Sequence, residues 1–255
     1  MSGDATLRRP ADGNAMQYRS RAVTHPGAHR DHNEDMFVAH PELGLWAVAD
    51  GAGGHEAGEV ASELIATALA TIPGALTAEE TLTQVRLRMA AAHLALKEAA
   101  ARKGDGAIVA STVVVLIVRE AHFACLWAGD SRAYLLRDGV LTRVTRDHSL
   151  VQELVDAGQL SEDQAESHPR ANIITRAVGD PADTVLLDKV IGRLQPGDRF
   201  LLCSDGLSKT MDDATLGRLL PAGDADAAAE ALLAAALQRD ANDNVTVVVV
   251  DIMAP

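Results

Sequence analysis

Residues 47–66, "AVADGAGGHEAGEVASELIA", decide how the rest of this sequence is interpreted. An apolar run typical of a strand ends in Asp50, a glycine-rich turn follows, and an alanine-rich segment then predicts a helix over about 56–70. A strand, a glycine loop and a helix in this order could cradle the phosphates of a nucleotide. The same arrangement could place one carboxylate on a metal ion.

Two nucleotide-binding loops can be compared with the sequence directly. A dinucleotide loop has the pattern G-x-G-x-x-G, but after Gly51 and Gly53 the sixth position is Glu56, whose charge would repel a pyrophosphate. A P-loop needs a glycine directly before its Lys-Thr pair, and the "GLSKT" segment at 206–210 lacks it. Both comparisons disfavour a nucleotide site.

The two cysteines do not form a cysteine-based phosphatase site, which needs an arginine six positions after the cysteine. Cys203 has Lys209 at that position, and Cys125 misses Arg132 by one residue. Both cysteines lie inside apolar runs, where burial raises the pKa of a thiol. We therefore expect free thiols in the core of a protein from a reducing compartment.

Composition restricts the class of protein. Of 255 residues, 47% are hydrophobic but only 3% are aromatic, so the core must be aliphatic. A net charge of −13 disfavours nucleic acid and anionic membranes as partners. The first residues lack the apolar segment of a signal peptide, and no apolar run approaches membrane-spanning length. We predict a cytoplasmic, monomeric protein with a mobile tail at 1–16 and one domain over 17–255.

Strands and helices are predicted in blocks. Further helices are expected over about 78–102 and 224–239, and Asp138-Gly139 is typical of a two-residue hairpin turn. Because strands and helices do not alternate regularly, the pattern indicates an α+β fold in which helices cover antiparallel sheet. The predicted strands are "STVVVLIV", "HFACLWAG", "AYLLRDGVLTRVT", "TVLLDKVI", "DRFLLCSD" and "DNVTVVVVD".

Aspartates lie at the ends of five predicted strands, namely Asp35, Asp50, Asp130, Asp205 and Asp243. One Asp-Gly pair is most simply a turn. Five carboxylates at one sheet edge would repel one another and would need a cation between them. Oxygen ligands select hard ions such as Mg²⁺ or Mn²⁺, and two such ions can activate a water towards phosphorus. The metal interpretation of the opening stretch is therefore favoured.

Two arginines are candidates for binding a phosphate substrate. Arg30 precedes Glu34 by four residues and could make a bidentate contact with phosphate oxygens. Arg132 follows a predicted strand turn and is more typical of a surface arginine.

Taken in order, these residues resemble the metal-dependent PP2C-type (PPM) serine/threonine protein phosphatases of bacteria. The resemblance spans about 18–251, and eight segments in the same order make it specific. The segments are "RDHNED" (30–35), "VADGAGGH" (48–55), "STVVV" (111–115), "WAGDSRAYLLRDG" (127–139), "LTRVTRDHS" (141–149), "ITRAVG" (174–179), "GDRFLLCSDGL" (197–207) and "DNVTVVVVD" (243–251).

The resemblance implies a four-layer αββα sandwich, in which two packed antiparallel sheets are flanked by helices. It also implies a centre of two Mn²⁺ or Mg²⁺ ions, and a variable flap at 149–182 beside the active site. By motif position Asp50 would bridge the ions, and the other core ligands would be the Gly51 carbonyl, Asp205, Asp243, Asp35 and Glu34. Arg30 would hold the substrate phosphate, and Asp130 with Asp205 would hold a third, weaker ion.

The implied activity is direct hydrolysis of protein phosphoserine or phosphothreonine by a metal-activated water, in opposition to a serine/threonine kinase. Many members have a histidine directly after the Asp-Gly pair as a general acid, but here that residue is Ala52. His55, three residues on, could donate the proton instead, or a metal-bound water could do so. His55 could also simply cap or pack against the loop.

A non-catalytic relative on the same fold is the rival hypothesis. Such proteins typically lose metal-binding aspartates. Asp35, Asp50, Asp205, Asp243 and Arg30 are all present in this chain, which favours an active enzyme.

Overall fold

A computed structural model of the chain describes residues 17–104, 106–166 and 168–254. It forms a four-layer sandwich in which two antiparallel sheets pack face to face and helices cover both outer faces. The predicted α+β class and αββα architecture are confirmed. The predicted N-terminal tail at 1–16 lies outside the described residues, so its mobility stays a prediction.

Five strands form sheet 1, in the spatial order β1-β11-β10-β7-β8, and every neighbouring pair is antiparallel. Its strands are β1 (Gln17–His25), β7 (Arg132–Arg137), β8 (Val140–Arg143), β10 (Arg199–Cys203) and β11 (Val245–Met253).

Sheet 2 has the order β2-β3-β5-β6-β9, again antiparallel throughout, and the two-residue β4 pairs with the end of β3. Its strands are β2 (Asp35–His40), β3 (Leu45–Ala52), β4 (Ala110–Ser111), β5 (Val113–Arg119), β6 (His122–Ala128) and β9 (Asp188–Arg193). A 3₁₀ turn at Pro41–Leu43 joins β2 to β3.

Helices α1 (His55–Ala70) and α2 (Ala78–Lys103) cover sheet 2, and α7 (Ala225–Gln238) covers sheet 1. A capping box of Thr77 and Glu80 fixes the start of α2. The described part of the chain also has four shorter helices: α3 (Leu150–Asp156), α4 (Glu162–Glu166), α5 (Asp205–Ser208) and α6 (Asp213–Leu219). In the described part of the chain, no helix is both long and apolar enough to cross a membrane.

Burial on both faces explains the unbroken apolar strands. On β11, Val247 and Val249 face the helix layer, whereas Val248 and Val250 face the other sheet. Neighbouring strand residues point to opposite faces, and in this sandwich both faces are dry. Alternation of polar and apolar residues therefore disappears, although the sheets are antiparallel.

Of the local predictions, the hairpin turn is confirmed, whereas one strand was misplaced and another was missed. Asp138 and Gly139 both have positive φ, 50° and 78°, and form the predicted hairpin turn between β7 and β8. The predicted strand "TVLLDKVI" was placed too early, because pairing with β6 begins only at Asp188. Strand β1 was not predicted, because arginine and serine residues interrupt its apolar residues and the sequence shows no apolar run there.

Candidate metal centre

The five predicted aspartates converge where the two sheets meet at one edge. Asp35 begins β2 and is the register partner of Asp50 on β3. Asp205 begins α5 two residues after the last residue of β10, and Asp243 lies two residues before β11. Asp130 lies in the connection that passes from β6 of sheet 2 to β7 of sheet 1. The charges of the other four aspartates all raise the pKa of Asp50.

Glycines bring helix α1 close to Asp50. Strand β3 continues for two residues beyond Asp50, so the prediction that Asp50 ends the strand was wrong. A Cβ on Gly51 would lie 2.1 Å from the carbonyl oxygen of Gly58 on α1, which shows how closely the two backbones approach. The chain turns later, at Gly53 and Gly54, where φ is 130° and 79°.

Thr112 ties two of the acidic segments together. The backbone N–H of Asp50 donates to Thr112 Oγ1 at 3.2 Å, and that hydroxyl also shares a 2.7 Å hydrogen bond with Ser131. A Cβ on Gly129, whose φ is 113°, would lie 2.5 Å from Thr112 Cβ. The loop that carries Asp130 is therefore packed directly against the residue that orients Asp50.

Asn244 fixes the segment that carries Arg30, a role that was not predicted from the sequence. Its Oδ1 accepts from the backbone N–H of Glu34 at 2.8 Å. Its Nδ2 donates to the carbonyls of Pro26 and His32, each at 2.9 Å. The only sequence signal for this role was the position of Asn244 beside Asp243.

Asp35 is buried with half of its hydrogen-bonding capacity unused. It is 2% exposed, and its Oδ2 accepts from the Ser204 hydroxyl at 2.6 Å. Its Oδ1 has no hydrogen-bond partner among the described residues. Burial raises the pKa of Asp35 to about 7, and the Asp205 and Asp243 charges add to this against hydrogen bonds from Ser204 and Thr246.

Asp50 and Asp130 are perturbed in the same direction. Burial, followed by the charge of Asp205, raises the pKa of Asp50 well above its ordinary value. Burial and Asp205 also raise the pKa of Asp130 to about 7, although Lys209 opposes them. Asp130 Oδ1, like Asp35 Oδ1, has no partner within the described residues. The positive charge that the described residues place near these carboxylates is too small to offset burial and mutual repulsion.

Among the described residues, two side-chain cations contact the cluster. Lys209 Nζ lies 2.5 Å from Asp205 Oδ2 and 3.7 Å from Asp130 Oδ2. Arg30 donates to Asp243 Oδ2 at 3.0 Å. Lys209 was not predicted as a site residue, although its position four residues after Asp205 places both on one face of a helical turn.

The donor set fits hard divalent ions, although the side chains do not form a finished cage. Within the described ranges, no three Asp, Glu, His or Cys side chains are arranged to hold a metal ion as they stand. The carboxylates instead contact Lys209, Arg30 and Ser204. The unpartnered oxygens of Asp35 and Asp130, in an all-oxygen site with raised pKa values, are what a bound cation would satisfy.

A cavity of about 680 Å³ opens beside this cluster. Asp130, Asp205 and Lys209 line one wall, and the predicted flap segment at 149–182 supplies another. The lining residues from that segment are Ser149, Val151, Gln152, Val155, Glu162, Asp163, Ala165 and Ala171. The flap therefore lies next to the carboxylates, as the resemblance implied.

Two further candidates differ in outcome. Arg132 makes a bidentate ion pair with Asp147, with contacts of 2.7 to 3.1 Å. Its guanidinium is therefore occupied by an internal partner, which disfavours a role in binding phosphate. For His55 the structure describes the backbone, as the first residue of α1, but not the side chain. Its role as a general acid stays a prediction.

Comparison with known proteins supports the same interpretation. The family profile described as Protein phosphatase 2C matches residues 27–237. A curated relative is the serine/threonine protein phosphatase PstP of Mycobacterium tuberculosis, which is 36% identical over 239 residues. The match covers 93% of this chain but 45% of that protein, so the chain spans about half the length of this relative.

Two solved structures are also similar. PppA of Pseudomonas aeruginosa, described as a key regulatory component of T6SS, is 43% identical with a TM-score of 0.86, over 92% of this chain and 98% of that one. The catalytic domain of PstP in complex with two manganese ions is 34% identical with a TM-score of 0.82, over 92% and 98% of the two chains.

Proposed function

Since this chain belongs to the protein phosphatase 2C family, we propose that it hydrolyses phosphoserine and phosphothreonine in proteins, with two bound Mn²⁺ or Mg²⁺ ions. The observation that carries the proposal is the convergence of five aspartates whose negative charge the described side chains do not balance. A fold that only needed stability would pair buried carboxylates or omit them.

The chain's own residues would divide the work by position. Asp50 is buried and is affected by the charges of all four other aspartates, and it would hold both ions. The remaining core ligands would be the Gly51 carbonyl, Asp205, Asp243, Asp35 and Glu34. When bound, two such ions lower the pKa of a shared water and neutralise charge on the transferring phosphoryl group.

Arg30 would orient the phosphate. Its side chain is half exposed at the edge of the cluster and contacts Asp243. Its guanidinium, which donates to Asp243 in this structure, would donate in a bidentate manner to phosphate oxygens when Asp243 serves as a metal ligand. The loop tied down by Asn244 would keep Arg30 within reach.

The source of the proton for the leaving group can be decided by changing that group. If His55 is the general acid, replacing it by Gln should slow hydrolysis of a phosphothreonine peptide by roughly 10²-fold or more. The reason is that the threonine alkoxide that leaves is strongly basic and needs a proton. Hydrolysis of p-nitrophenyl phosphate should change little, since nitrophenolate leaves without protonation. Equal effects on both substrates would instead indicate that His55 caps or packs against the loop.

The cavity beside the carboxylates is proposed to receive the phosphoprotein. Its wall from the 149–182 segment would contact residues that flank the phosphorylated side chain. The substrates would be targets of an opposing serine/threonine kinase, or the kinase itself.

The direct test is hydrolysis by the purified chain of p-nitrophenyl phosphate and of a phosphothreonine peptide. We expect turnover that requires Mn²⁺ or Mg²⁺ and stops with EDTA. A phosphotyrosine peptide serves as the specificity control. Protein that shows no turnover with Mn²⁺, and no response to EDTA, would favour the non-catalytic alternative.

A further inference from the structure

Lys209 lies between the two carboxylates that the family resemblance assigned to a third metal ion. Its ammonium is 2.5 Å from Asp205 Oδ2 and 3.7 Å from Asp130 Oδ2. The position follows from the sequence, because Asp205 begins α5 and Lys209 follows one helical turn later, donating its backbone N–H to the Asp205 carbonyl. The lysine therefore extends along the same face as the carboxylate it contacts.

This contact differs from an ordinary surface ion pair. Exposed pairs four residues apart on a helix contribute little. Here the second partner, Asp130, is 4% exposed and comes from the connection between the two sheets. A lysine ammonium is charged at neutral pH. Lys209 therefore places a positive charge inside the carboxylate cluster.

We propose that the Lys209 ammonium takes the place of a third metal ion between Asp130 and Asp205, so that the chain holds two ions and a tethered cation. The inference rests on the proposed function for the two core ions. It replaces the expectation that Asp130 and Asp205 hold a third ion. Because the lysine is covalently attached, positive charge at this wall of the cavity does not depend on metal concentration.

The proposal specifies what removing the lysine should do. Lys209→Met would leave both Asp130 oxygens without the ammonium, next to Asp205, in a buried site of oxygen donors. Such a site attracts a divalent cation. The variant should therefore acquire a weak additional metal site, and adding Asp130→Asn to it should abolish that site.

The experiment counts bound Mn²⁺ by equilibrium dialysis at millimolar Mn²⁺ followed by elemental analysis. We expect two ions in the wild type, three in Lys209→Met, and two in the double variant Lys209→Met/Asp130→Asn. Lys209→Arg keeps the charge and should retain two. Lys189→Met, which removes an exposed lysine from β9, is the matched control and should also retain two.

A second readout uses stability in place of stoichiometry. Without metal, Lys209→Met should melt at a lower temperature than wild type, because two carboxylates lose their counter-charge. Added Mn²⁺ should raise the melting temperature of this variant by more than it raises that of Lys189→Met. Equal shifts in the two variants would contradict the proposal.

The possible outcomes test the role of Lys209 separately from the proposal of two core metal ions. The number of ions in the wild type tests the two-metal proposal, whereas the difference between Lys209→Met and wild type tests the lysine. Asp130→Asn alone, in a chain that keeps Lys209, should lose no ion. The inference is overturned if that single variant loses one, or if folded Lys209→Met binds no more Mn²⁺ than wild type.

Discussion

Strands β10 and β11 carry aspartates at both of their ends, and the two ends satisfy them differently. At one end Arg137 donates to both oxygens of Asp198, each at 2.7 Å, and Arg199 makes a bidentate contact with Asp251. At the other end Asp35 and Asp130 have raised pKa values, whereas Asp205 contacts Lys209 and Asp243 contacts Arg30. We refer to these as the arginine end and the carboxylate end.

The contrast separates a structural use of aspartate from a functional one. Asp198 has a side chain that is 1% exposed, yet it accepts from a guanidinium and from the backbone N–H of Gln195. Asp35 is equally buried but keeps an unpartnered oxygen among the described residues. A buried charge without such compensation costs stability, so its persistence points to a ligand. Burial alone would not have distinguished the two ends.

The largest expected effect is on activity at the carboxylate end. Asp205→Asn should lower kcat by roughly 10³-fold or more, because the metal ions supply several kcal/mol of transition-state stabilisation. The metal-free variant should be at least as stable as wild type, since one repelling charge has gone. Steady-state hydrolysis of p-nitrophenyl phosphate and thermal melting with EDTA would measure the two effects.

Asp226→Asn provides the matched control on the outer helix α7, where the same change should leave kcat unaltered. Near-normal turnover of Asp205→Asn would remove this residue from the centre. A large loss of metal-free stability would place Asp205 in the structural class with Asp198.

The second effect concerns pH and the metal-free protein. Asp35 and Asp130 have folded-state pKa values of about 7, above the 3.8 expected when unfolded. Their stabilising contribution is therefore present in acid and is lost as pH rises through about 7. Melting in EDTA should show stability falling by a few kcal/mol between about pH 4 and 7 and levelling off above that range.

Saturating Mn²⁺ should abolish this fall, because the ions favour the charged carboxylates. Asp35→Asn should flatten the metal-free pH profile. Metal-free stability that rises over the same range would mean that the carboxylates are already compensated, and the two ends would no longer differ.

The third effect is on stability at the arginine end. Arg137→Met removes the guanidinium and leaves the Asp198 carboxylate buried and uncompensated. We expect the free energy of unfolding to fall by about 3 kcal/mol, the low end for a broken buried ion pair, because Arg137 itself is partly exposed. Chemical denaturation measures this loss. The kcat of the folded variant should stay unchanged, and a variant that loses activity while remaining folded would contradict the division between the ends.

The sequence predicted the fold class because the apolar strands and amphipathic helices are local signals. It did not predict β1, whose pairing with β11 joins residues more than 200 positions apart. It also placed β9 too early, because the apolar residues before Asp188 pack against the core without pairing in the sheet.

Aspartates at strand ends were predictable for the same reason, since each motif is short and contiguous. Lys209 and Asn244 were not, because their roles depend on contacts that only the folded chain creates. Lys209 reaches Asp130 across 79 positions, and Asn244 holds a loop more than 200 residues earlier. Their positions beside Asp205 and Asp243 are the only local signals, and these do not identify the distant residues that each side chain contacts.

Arg30 offers the smallest and sharpest test, because its contact with Asp243 resembles the pairs at the arginine end. If the contact were structural, Arg30→Ala would lower stability and leave kinetics unchanged. We expect the reverse, since Arg30 is half exposed and metal binding would draw Asp243 away. Loss of a charge-assisted phosphate contact should lower kcat/KM by about 10- to 30-fold, or roughly 1.5–2 kcal/mol. Arg30→Lys should recover part of the rate, since it keeps the charge without the bidentate geometry.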